Sequence, residues 1–126
     1  MKFSMDKQEK YCVFSLHEEN LNSQTGPLLK SEMILLNAEG IRNIIFDMND
    51  VKFVDSSGLS AILISDRLCK NAKGTFVLSG INEQVLRLLQ ISQLDSVLHL
   101  VHTMQEAKDL VLMEEIERDF NDTTEP

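Results

Sequence analysis

Ile44-Ile45-Phe46-Asp47-Met48-Asn49-Asp50-Val51-Lys52-Phe53-Val54-Asp55-Ser56-Ser57-Gly58-Leu59 reads as strand, turn and helix start in close succession. Ile44-Ile45-Phe46 is an unbroken apolar run, the pattern of a strand covered on both faces. Phe53-Val54 is a second, shorter apolar piece. Asp55-Ser56-Ser57-Gly58 then has the composition of a helix cap, because Asp and Ser side chains accept from the unpaired N–H groups of a first turn. A helical pattern follows to Ala72. At 100° per residue, Gly58, Ala61, Ile62, Ser65, Leu68, Cys69 and Ala72 share one stripe, small enough to lie close to a sheet. Leu59 and Leu63 fall off that stripe beside Asp66 and Lys70. They are edge-of-core residues or a partner-facing patch.

Upstream, residues 3–8 and 11–16 are β-capable runs around the polar turn Glu9-Lys10, which predicts a hairpin. A loop is predicted over residues 17–24. A first helix is predicted from Thr25-Gly26-Pro27, where a proline loses no bond, to Gly40, with Leu29, Met33 and Leu36 as its apolar stripe. Downstream, Thr75-Phe76-Val77-Leu78 reads as another buried strand, Asn82 as the cap of a helix through Leu89, and residues 97–101 as a last strand. Thr103-Met104-Gln105-Glu106 has the form of a capping box, opening a helix to about Arg118. Strands alternating with helices give an α/β fold: a mixed sheet with an N-terminal antiparallel hairpin and about four helices packed on it. One domain over residues 1–118 is expected, with 119–126 as a disordered acidic tail.

The 126 residues carry 12 Lys and Arg against 20 Asp and Glu, a net charge of −8. That charge repels phosphate backbones, so direct nucleic-acid contact is not expected. The start of the chain lacks a signal-peptide pattern and no apolar stretch suits a membrane helix, which predicts a cytoplasmic location without membrane insertion. Cys12 and Cys69 are far apart in apolar contexts and read as reduced, buried small hydrophobes. No metal constellation, no nucleophile–base pair and no Gly-x-x-x-x-Gly-Lys loop is legible, so neither cofactor nor catalysis is expected.

Asp47 through Leu63 closely resembles the signature of the STAS family, and within it the stand-alone anti-sigma factor antagonists of bacterial partner-switching systems. The similarity extends through Asn20-Leu21-Asn22-Ser23-Gln24-Thr25, Gly74-Thr75-Phe76-Val77-Leu78 and Ile91-Ser92-Gln93-Leu94. The resemblance implies the STAS fold and a binding protein regulated by phosphorylation. It implies Ser56 as the serine phosphorylated by an anti-sigma factor serine kinase, with Ser57 as second choice, and a serine phosphatase of the PP2C type that resets it. The expected partner surface comprises Asn22, Ser23, Asp55, Ser56, Ser57 and Gly58, to which the helical wheel adds Leu59 and Leu63. Two positions depart from the family's first loop: Glu19 stands where it usually has Gly, and Asn22 where it usually has Asp. A soluble STAS subunit of a lipid-transport complex, binding without phosphorylation, is the alternative.

Overall fold

A computed structural model describes the backbone of residues 1–124 and the side chains of residues 1–121. The predicted hairpin forms from β1 (Phe3–Lys7) and β2 (Cys12–Leu16), antiparallel with Phe3 opposite Leu16. Within the predicted loop lies a two-residue strand, β3 (Asn20–Leu21), followed by α1 (Gly26–Ala38). Next come β4 (Ile44–Asp47), β5 (Phe53–Val54), α2 (Ser56–Asn71), β6 (Phe76–Ser79), α3 (Glu83–Ile91), β7 (His99–Val101) and α4 (Met104–Thr124).

The main sheet has the order β1-β2-β4-β6-β7, with β2, β4, β6 and β7 mutually parallel. Each new parallel strand is laid on the same side of the one before. Right-handed crossovers in a constant direction put every crossover helix on one face. Accordingly α1, α2 and α3 bury one face, and α4 takes the other.

Strand alternation sorts the core into these two layers. Cys12, Phe14, Ile44, Phe46, Phe76 and Leu78 face the crossover helices, together with Leu29, Met33, Ala61, Ile62 and Leu89. Phe3, Phe14, Phe46 and Phe76 form a file of rings across the sheet, with centroids 4.9, 5.9 and 6.2 Å apart. Val13, Ile45 and Val77 face the other way, onto Ala107 and Val111 of α4. Cys12 and Cys69 are buried and unpaired; burial, with Asp66 nearby, pushes the Cys69 thiol up to about 12.

Two expectations about the last helix need correction. The helix does not stop near Arg118: residues 119–124, expected as a disordered tail, continue it, and 125–126 lie outside the described residues. No glycine or proline interrupts that stretch, and the charged residues just before it are tied down. Glu115 is 5% exposed and accepts from Arg42 Nε and Nη2 (3.1 Å each), Asn43 Nδ2 (2.6 Å) and Arg118 Nη2 (3.0 Å). Arg118 also donates to Thr75 Oγ1 and Asn43 Oδ1, and Thr75 donates to Glu114. The charged run thus clamps α4 to the starts of β4 and β6. Second, the capping box is only half formed. Thr103 Oγ1 accepts from the Glu106 N–H, but the Glu106 carboxylate takes the Thr103 hydroxyl rather than its backbone N–H.

Candidate functional site

At the end of the sheet opposite that clamp, the chain leaves β2 and β4 and makes a second, two-stranded parallel ladder, β3 with β5. Asn20 lies opposite Phe53 and Leu21 opposite Val54. The ladder is extended by Lys52 and Phe53 N–H groups donating to Glu19 O and by Asp55 N–H donating to Leu21 O. It therefore fixes the loop before α1 beside the loop before α2.

On this platform α2 begins as the residues predict. Asp55 has extended backbone, and its Oδ1 accepts from the Gly58 N–H at 2.9 Å. Ser56, the first helical residue, is exposed. Ser57 is half-buried because its carbonyl lies against the start of α1, 3.1 Å from where a Cβ on Gly26 would stand. Of the two serines, Ser56 is the accessible one. Its place at a helix N-terminus favours added negative charge, and the first turn carries no acidic residue of its own.

The fold brings Asn22, Ser23, Asp55, Ser56 and Ser57 to one end of the molecule, but their roles differ. Ser23 is exposed. Asn22 is committed to the turn: its Oδ1 accepts from Gln24 N at 2.9 Å and Thr25 N at 3.2 Å. An aspartate could accept the same bonds, so replacing Asp by Asn here removes charge while keeping the turn. Gly58 is buried against Leu21, so it positions the helix and offers no contact surface. Leu59 and Leu63 are half-buried: each packs on the main core and keeps part of its side chain at the surface.

Several residues contribute to the site in ways that the sequence did not disclose. Asn82 caps α3 through Val85 N (2.8 Å) and also donates to the Lys52 carbonyl at 3.1 Å, pinning the strand that leads to Ser56. Phe53 is 55% exposed beside Val54, Val85 and Leu88, an apolar depression next to the serines. Asp47 accepts from Ser15 Oγ at 3.0 Å and from Asn49 N, holding the turn after β4. The cap motif at 82 was legible, but its second bond spans 30 residues.

The fold also assembles a group that the sequence hid. Ser4 Oγ lies 2.9 Å from His17 Nε2, and His17 Nδ1 lies 2.9 Å from Asp50 Oδ2. This is a nucleophile–base–acid order, contrary to the expectation that no such pair exists. The His17 and Asp50 side chains are 45% and 60% exposed, and the adjoining depression is lined by His17, Glu18, Glu19, Asn49, Asp50 and Lys52. Water there competes for any charge developed in a transition state, and the polar walls offer no apolar pocket for a substrate. What the geometry does is tie β1 to the turn after β4. Among the described residues no cluster of three or more His, Cys, Asp or Glu could hold a metal, and no helix is long and apolar enough to cross a membrane.

The STAS domain model matches residues 2–107. A Thermotoga neapolitana protein, provisionally named an anti-sigma factor antagonist, is 30% identical over 101 residues, covering 79% of this chain and 88% of its own. A crystal structure of a similarly named Thermotoga maritima protein superposes with a TM-score of 0.78 at 26% identity, covering 86% of this chain and 93% of that one. The Bacillus cell fate determinant SpoIIAA in its phosphorylated form has the same fold, with a TM-score of 0.68 at 21% identity over 87% of this chain and 99% of that one. Sheet order, capped α2 start and a family match over nearly the whole sheet and its crossover helices agree: the chain belongs to the STAS domain family.

Proposed function

We propose that this protein is an anti-sigma factor antagonist of the cytoplasm, controlling transcription through a protein partner and not by touching nucleic acid. It binds its anti-sigma factor, a serine kinase, while Ser56 carries a hydroxyl, and releases it once Ser56 is phosphorylated. A phosphatase of the PP2C type restores the hydroxyl. The observation that carries this reading is an exposed serine at the first position of α2, on a surface shared with the 22–25 loop and the exposed ring of Phe53. Similarity to proteins named anti-sigma factor antagonists supports it, and SpoIIAA, an anti-sigma factor antagonist that shares the fold, has been solved both unphosphorylated and phosphorylated.

The chemistry asked of this chain is small. The Ser56 oxygen attacks the γ-phosphorus of ATP held by the kinase, ADP leaves, and the serine proton passes to a base on the kinase. The product adds about −1.5 to −2 charges at neutral pH. The helix terminus accommodates that charge without unfolding, so the surface changes and the fold does not. Pressed against a partner formed around a neutral hydroxyl, the phosphate is desolvated without a matching cation, which weakens the complex.

The test uses the Ser56→Ala and Ser56→Asp variants as baits in the native cell extract, followed by calorimetry with the captured partner. Ser56→Ala should retain an ATP-binding serine kinase. Ser56→Asp should bind it at least about tenfold more weakly, a difference of ~1.4 kcal/mol, with a thermal midpoint no lower than the parent's. If both variants capture the same partner with equal affinity, and mass spectrometry finds no phosphate on Ser56, a phosphorylation-independent subunit of a transport complex takes its place.

A further inference from the structure

Helix α1 is apolar on two opposite sides. Only Lys30 and Glu32 of its 13 residues are charged. Leu29, Met33 and Leu36 are buried in the core. On the outer side Leu28, Ile34 and Leu35 are 48, 53 and 56% exposed, and Pro27, Ser31 and Ala38 are exposed with them. At 100° per residue these six form one stripe centred opposite the buried three. The stripe's only polar side chain is already satisfied, because Ser31 Oγ donates to the Pro27 carbonyl at 3.1 Å. A helix with two apolar sides belongs in an interior. The sheet covers one of them, and α4, the last element, packs across that sheet on its other face.

The order of residues in the stripe points to what covers it. Leu28, Ser31, Leu35 and Ala38 stand three, four and three residues apart, the spacing of a helix-pairing seam. Large and small side chains alternate along it. Turned end for end, the same seam sets Leu28 over Ala38 and Leu35 over Ser31, so that each bulky side chain meets a small one. Ile34 then lies beside its own counterpart on one margin. A twofold pair requires a surface complementary to itself, and this seam meets that requirement. On the other margin Glu32 faces Glu32, a like pair at a wet edge that weakens the contact without forbidding it. The six side chains expose on the order of 450 Å² per copy, or about 900 Å² for a pair, which belongs to the weak and transient class of interfaces.

We propose that the outer face of α1 is a self-association surface on which a second copy of this chain docks antiparallel, forming a weak dimer with a Kd on the order of 100 µM. The net charge of −8 opposes the approach of two copies. Salt screens that repulsion beyond about 8 Å at physiological strength and leaves the apolar seam untouched. The pairing needs neither a kinase nor a phosphate, so it stands or falls apart from the switch at Ser56.

Sedimentation equilibrium and methyl NMR of the full chain, from about 10 µM to 1 mM, span the expected range. Expected are a monomer–dimer equilibrium, concentration-dependent shifts at Leu28, Ile34 and Leu35, and tighter pairing as salt rises. Leu35→Glu, at an exposed position, should be monomeric throughout with the parent's thermal midpoint; Leu35→Gln serves should the midpoint fall. Glu32→Gln should pair about twofold more tightly, since it removes the like charges at the margin. A bis-maleimide should join Ile34→Cys to itself, because Cys12 and Cys69 are buried. Ile91→Glu, 74% exposed on α3, should leave the dimer intact. A parent that stays monomeric across the range, or a dimer that survives both Leu35 variants, would overturn the proposal. So would a dimer dissolved by Ile91→Glu or by salt, or one in which Ile34→Cys is not joined.

Discussion

Glu115→Ala is expected to lower the unfolding free energy by about 2–4 kcal/mol, because it strands charges that the fold has drawn from water. Glu115 is the one acceptor on which Arg42, Asn43 and Arg118 converge. Without it two guanidiniums face each other across the space it leaves. The Arg42 and Arg118 side chains remain 38% and 24% exposed, so water recovers part of the loss, and the lower half of that range is favoured. The same residue sets a pH dependence. Burial alone would push the Glu115 carboxyl up, but hydrogen bonds from Asn43, Arg42 and Arg118 outweigh it and hold the group at about 2, against an ordinary 4.5. A group depressed in the folded state stabilises above its unfolded value, and that stability, about 3 kcal/mol here, is lost as pH falls from 4.5 through about 2. Urea melts at a series of pH values should show this loss in the parent. In Glu115→Gln, which keeps the shape but cannot ionise, the component should be missing. An unchanged acid profile in Glu115→Gln would mean the clamp contributes no charge-dependent stability.

Gly58→Ala should be equally severe for a different reason. A Cβ at this position would stand 2.2 Å from the Leu21 carbonyl oxygen, 2.9 Å from its carbon and 2.9 Å from Val54 Cγ1. The obstacle is backbone, and that carbonyl also accepts the Asp55 N–H. Relief requires lifting the first turn of α2 off β3, which breaks the joint that holds Ser56 beside the 22–25 loop. A cost of about 3 kcal/mol is expected, at the upper end for overpacking, lowering Tm by on the order of 10 °C. Gly40→Ala is the contrast. Gly40 has φ +88° but nothing within 4 Å of an added Cβ, so only backbone strain of about 1 kcal/mol remains. Equal losses in the two variants would show that contact with Leu21 is not what makes Gly58 special.

What the sequence disclosed and what it hid follow from the range of the forces involved. The strand at 44–47, the Asp55 cap and the small-residue stripe of α2 were legible because period, apolar runs and caps act within a few residues. The STAS signature was legible for the same reason, being contiguous. The β3–β5 ladder was not, since strands of two residues have no period to read. The clamp of Glu115 and Arg118 was not legible because their partners Arg42, Asn43 and Thr75 come from distant stretches. The stretch from Asn121 has nothing to bury, so the predicted helix stopped near Arg118 although α4 runs on to Thr124. Ser4, His17 and Asp50 likewise meet only because β1 folds back on β2 and β4 lies beside it. At the candidate site, type and position of Ser56 were readable, whereas the burial of Gly58 and the commitment of Asn22 to its own turn needed the packed structure.

The borders of the main sheet limit how this protein can be read by others. At one border β7 offers only three residues, and at the other β1 ends in the charged pair Asp6 and Lys7. Short or charged margins discourage a foreign strand from joining the sheet. Recognition is left to side chains on helices and connecting loops. A ladder of peptide bonds would grip a partner whatever the charge on a neighbouring side chain. Side-chain recognition is rewritten by a single added group, so a sheet closed to visitors leaves this protein's associations answerable to chemistry on its surface.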